Sequence, residues 1–181
     1  MSEFTLRERM TSYHEAGHAV LHYLSCDSVN YIWGKPGVFK GMEFAGATIA
    51  SRIQSMSTIA SGPAIQALVC AGGRVAEQTF FPDDWKKYKE GSETDWEMMR
   101  ESLEIMEYGP EQIQNVVISA RKILLKRENR KLVRKLAWVL LHHNKHLDYI
   151  EIGWIFGYIK KPLFRQKYIQ MKYKCKKWLK R

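Results

Sequence analysis

Apolar residues recur at helical spacing from the start of the chain: Leu6, Met10, Tyr13, Gly17, Val20 and Leu24 fall on one stripe. That is the pattern of a helix with one buried face. Thr5 and Glu8 make a T-x-x-E capping box, so the helix is predicted from about residue 5 to 25. The next stretch, DSVNYIWGKPGVFKGMEFAGATIA, is rich in glycine and β-forming residues and reads as two or three short strands joined by turns. Helical character returns at Ser61-Gly62-Pro63, where proline suits a first turn. Small apolar residues carry it to about Phe80.

Residues 81–91, with Pro82, Asp83 and Asp84, read as a loop. A third helix is predicted over 92–108 and is stopped by Gly109-Pro110. Helices over about 111–127 and 129–143 are expected as an antiparallel pair, followed by a shorter apolar helix over about 148–159. The predicted fold class is mainly α with a small β-sheet. Residues 1–159 form one domain, and 160–181 form a separate C-terminal tail.

Composition narrows the class. A hydrophobic fraction of 45% is ample for a packed core. The first ten residues, MSEFTLRERM, lack the apolar segment of a secretory signal. No apolar run approaches the ~18 residues a membrane span needs. The three cysteines, Cys26, Cys70 and Cys175, are widely spaced and odd in number, which points to a reduced compartment with Cys26 and Cys70 buried. The expected location is the cytoplasm, membrane-peripheral if the tail binds a bilayer.

Charge is concentrated at one end. The net charge is +10, and residues 160–181 hold ten of the 29 Lys and Arg but none of the 19 Asp and Glu. The rest of the chain is therefore balanced. In the tail Phe164, Tyr168, Met171, Cys175 and Trp178 form one apolar stripe on a basic helix. A terminal helix docked on the body, a membrane-surface contact and a nucleic-acid or acidic-protein contact all fit that pattern.

The chemistry lies in the first helix. His14, Glu15 and His18 spell HEAGH, an H-E-x-x-H motif. Residues four apart share a helix face, so the two imidazoles can meet one zinc ion at about 2.0–2.1 Å. Glu15, next to that face, can take the proton of a zinc-activated water whose pKa falls to ~7. It can then pass that proton to a leaving amine.

A third ligand is required. His22 continues an i, i+4, i+8 ladder, but it lies about 12 Å along the axis from His14 and cannot share its metal. His142, His143 and His146 sit near a helix C-terminus, where a solvated turn accounts for them. Carboxylates remain: Glu77, Asp83, Asp84, Glu93 and Asp95.

Three separated blocks, TSYHEAGHAVLHYL, CAGGRVAEQTFF and GSETDWEMMRESLEIMEYGP, resemble the zinc peptidase domain of the FtsH-type AAA+ proteases (peptidase family M41). A weaker fourth block, LLKRENRKLVRKLAWVLLHHNKHLDYIEI, extends the likeness over about residues 8–159. The resemblance implies an FtsH peptidase-like zincin fold. His14, His18 and Asp95 would be its zinc ligands, with Glu77 as runner-up for the third, and Glu15 its catalytic base. Ser92-x-x-Asp95 is also a capping-box pattern, the competing account of Asp95. Gly72-Gly73-Arg74 reads as packing, and Gly17 as a point of close helix approach.

The family's membrane helices and ATPase module have no counterpart here, and no G-x-x-x-x-G-K-[ST] occurs. The expected activity is ATP-independent zinc-dependent hydrolysis of unfolded or flexible polypeptides, with the oligomeric state open. The rival expectation is a catalytically silent relative that binds or regulates partners through its basic tail.

Overall fold

The structure, a computed structural model, describes residues 4–25, 28–34, 37–39, 42–44, 47–51, 61–87, 93–142 and 146–157. The basic tail, with its apolar stripe and Cys175, lies outside the described residues, as do Cys26, Ser92 and His143. The chain is mainly helical.

The first helix, α1 (Leu6–Leu24), begins at the expected capping box. The Thr5 hydroxyl accepts from the Glu8 backbone N–H at 3.2 Å, and the Thr5 N–H donates to the Glu8 carboxylate at 2.8 Å. The apolar stripe then broadens: every residue from His14 to Leu21 is buried. α1 is thus a central helix covered on several sides, and its buried His and Glu must find partners.

Four short strands follow: β1 (Ser28–Trp33), β2 (Gly37–Phe39), β3 (Met42–Phe44) and β4 (Ala47–Ser51). A fifth, β5 (His146–Asp148), was not foreseen in the sequence. β2 and β3 make a small hairpin; β4, β1 and β5 make an antiparallel sheet in that order. Thr48, Ile32 and Leu147 align across it, and Ile32 and Leu147 are fully buried. β1 packs on α1.

α2 (Ser61–Phe80) packs along α1, and two glycines make the approach possible. A Cβ on Gly17 would stand 2.4 Å from the Gly72 carbonyl oxygen and 2.8 Å from Ala76 Cβ. No residue larger than glycine fits between the two backbones. A loop and a 3-10 turn, Trp85–Lys87, follow α2.

α3 (Glu93–Ile105) packs on α2 and ends before the Gly109-Pro110 signal that the sequence offers. Glu107 takes a left-handed conformation (φ 60°), with Tyr108 N–H donating to the Leu103 carbonyl and Glu107 N–H to the Glu104 carbonyl. This is a Schellman closure built without glycine. α4 (Gln112–Leu124) packs mainly on α2, and α5 (Arg127–His142) mainly on α1. The two also touch each other, but each lies mainly on the central pair.

α6 (Tyr149–Phe156) starts at an Asp148–Glu151 capping box and ends at left-handed Gly157. It seals the far end, where the Phe156 ring stacks on Tyr23 at 4.2 Å. The core runs through Val20, Leu21, Val133, Leu136, Leu140 and Ile152, all fully buried. Each such aliphatic side chain contributes about 1.5–3 kcal/mol relative to exposure. Among the described residues no helix is long and apolar enough to cross a membrane.

Candidate metal centre

His14 and His18 sit one turn apart on α1, and α2 fixes both rings from behind. The Nδ1 of His18 lies 2.8 Å from the Val69 carbonyl oxygen, and the Nδ1 of His14 lies 3.0 Å from Glu77 Oε1. A carbonyl and a carboxylate only accept, so each Nδ1 carries the hydrogen and donates it. Both Nε2 atoms are then left with lone pairs, and they face each other at 2.9 Å. α3 brings Asp95 to the same point, its Oδ2 at 3.0 Å from His14 Nε2 and 3.2 Å from His18 Nε2.

Three acceptors therefore converge with no hydrogen between them in the neutral tautomers. Asp95 Oδ2 is buried and has no hydrogen bond of good geometry. Such an arrangement is repulsive unless a cation or a proton enters it. Tetrahedral bonds of about 2.0–2.1 Å place ligand atoms roughly 3.3 Å apart, close to the 2.9–3.2 Å found here. The residues fit a metal ion, and His14, His18 and Asp95 can hold one.

The electrostatics of the three side chains agree. Burial alone would depress the His14 pKa, but the Asp95 and Glu77 carboxylates outweigh it and hold the imidazolium far above its ordinary range. Burial likewise opposes charge on His18, and Asp95 again overrides it upward. Burial would raise Asp95, yet the His18 and His14 charges hold it well below the usual carboxylate range. A proton shared at this point stands where a metal cation can bind.

Behind His14 the support continues. Arg74, buried on α2, donates from Nη1 to Glu77 Oε2 at 3.4 Å and to the Trp85 carbonyl at 3.4 Å. Its guanidinium lies 4.9 Å from the centre of the Trp85 ring. A Cβ on Gly73 would stand 2.5 Å from the His14 ring, so glycine is needed there for the imidazole to lie flat against α2.

Glu15 is buried beside these groups. Burial pushes its pKa up, partly offset by the charges of His14 and His18. Thr48, on β4, donates its hydroxyl to Glu15 Oε2 at 2.8 Å. Cys70 is buried as expected; burial lifts its thiol to about 11, so it stays protonated.

The structure brings together four residues that the sequence singled out: His14, Glu15, His18 and Asp95. Glu77, the runner-up ligand, takes the far nitrogen of His14 instead. Asp83 and Glu93 are exposed, and Asp84 pairs with Lys87. His22 is not in the cluster. His142 sits at the surface with Nδ1 2.7 Å from the Trp138 carbonyl, in keeping with a solvated helix end. Sequence reasoning passed over the Val69 carbonyl, which has no side-chain signature, and Thr48, whose partner lies 33 residues away. No family model matches this chain, and no curated protein matches it.

Proposed function

We propose that this chain is a zinc metallopeptidase of the FtsH peptidase type, acting without ATP on unfolded or flexible polypeptides. The observation that carries the reading is the meeting of Asp95 Oδ2 from α3 with the two Nε2 atoms of the HEAGH helix. Two nitrogens and one oxygen are a donor set suited to zinc with one position left open. Zinc held there would supply Lewis-acid polarisation of a peptide carbonyl and an acidified water.

The chain's own residues do the rest. Glu15 is the general base: it accepts the proton of the attacking water and returns it to the leaving amine as the peptide bond breaks. A buried carboxylate with a raised pKa suits a group that must hold a proton between two steps. Glu77 and the Val69 carbonyl keep both imidazoles turned with Nε2 inward. Among the described residues β4 is the last strand of its sheet and lies beside Glu15, so an extended substrate can add there as a further strand.

Cleavage of casein by the purified chain without nucleotide tests this. The wild type is expected to cut, and both the Glu15→Gln variant and a chelator-treated sample to be inert. A wild type that holds zinc and cuts no unfolded protein would overturn the reading and favour a binding protein that keeps the site.

A further inference from the structure

We propose that Thr48 is a positioning residue for Glu15: its hydroxyl anchors the carboxylate and ties it to strand β4. The inference rests on the peptidase reading, since it assigns Glu15 its role as base. The Thr48 oxygen lies 2.8 Å from Glu15 Oε2 and 3.1 Å from the Glu15 carbonyl oxygen. A hydroxyl has one hydrogen to give, and the carboxylate is both nearer and the stronger acceptor. Oε2 is thereby held, which leaves Oε1 to take the proton of the attacking water and to release it to the leaving amine.

The anchor is itself rigid. Threonine is β-branched and stiff at χ1, so its hydroxyl follows the strand backbone closely. That backbone is registered against β1, with Thr48 opposite Ile32, and Ile32 is fully buried in the core. A glutamate without such a tether has several rotamers open to it, and a misplaced base costs rate rather than affinity. Among the described residues β4 is the outermost strand of its sheet, so the same element that can offer a backbone to a substrate also sets the base. Substrate and base are placed by one rigid piece.

Thr48→Val removes the hydroxyl at nearly constant volume, and Thr48→Ser keeps it while removing the methyl. With the zinc-loaded enzyme and an unstructured peptide, Thr48→Val is expected to lower kcat about tenfold or more with KM nearly unchanged. Thr48→Ser should recover most of that loss. Unchanged kcat in Thr48→Val, or a Ser variant as slow as Val, would overturn the proposal. A readout apart from catalysis is the double-mutant cycle of Thr48→Val with Glu15→Ala in urea denaturation. Coupled midpoints uphold the anchor; additive ones overturn it. Should the wild type cut nothing, the peptidase reading falls while the cycle still decides the Thr48–Glu15 link.

Discussion

Oε1 of Glu77 stands 3.0 Å from Nδ1 of His14, on the side of the ring turned away from Asp95. Glu77 thus supports His14 from behind and lies outside the trio His14, His18 and Asp95 that could hold a metal ion. Glu77→Gln keeps the shape but weakens the acceptor, and its effect should fall on metal affinity. The expected loss is about tenfold, the low end for an outer partner of a metal-bound histidine. Competition with a chromophoric chelator measures it.

Protons and metal compete for the same nitrogens. The Asp95 and Glu77 carboxylates lift the His14 pKa to about 10, and Asp95 raises that of His18, so a metal ion entering the site would displace a proton from His14 at neutral pH. Zinc affinity should therefore rise with pH, with net proton release on binding. Calorimetric titrations in buffers of different ionisation enthalpy count those protons. A pH-independent affinity would contradict the arrangement.

Without metal, the same groups give the fold a pH dependence. For His14 and His18, raised when folded, the stabilisation is full below their ordinary ~6.5 and is lost as pH rises through the folded values. For Asp95, lowered when folded, it is present above about 4 and is lost as pH falls. The chelated protein should gain most from this cluster between about pH 4 and 6.5. Urea midpoints across pH, compared with His14→Ala, should show the window shrink in the variant.

The two glycine contacts separate stability from binding. Gly17→Ala sets a methyl against the Gly72 carbonyl, backbone against backbone, so α1 and α2 must part. A melting temperature lowered by the equivalent of about 1–3 kcal/mol is expected. Gly73→Ala sets its methyl first against the ring of His14, a side chain rather than backbone. Its main effect should be on zinc affinity, with a smaller change in melting temperature.

Local signals carried much of this into the sequence. Thr5 with Glu8 marks where α1 begins, and HEAGH marks where the candidate site sits, because caps and i, i+4 pairs lie within one or two turns. Asp95 was different: five carboxylates were open on chemistry alone, and only the resemblance of its block to a known family singled it out. Its partners lie more than 75 residues away, a separation no periodicity reports. The end of α3 was misplaced because Gly109-Pro110 is the louder stop signal, while Glu107 closes the helix with no glycine. β5 escaped notice because three residues, His-Leu-Asp, are too few to show alternation. Thr48 looks like any strand threonine until the sheet lays it against α1.

The most direct test of the account is the zinc content of the purified chain and of its Asp95→Ala variant, by native mass spectrometry after reconstitution and desalting. The account predicts one zinc ion per wild-type chain and almost none in the variant, with helical circular dichroism retained in both. A wild type that binds no metal, or an Asp95→Ala variant that holds zinc as tightly, would contradict it.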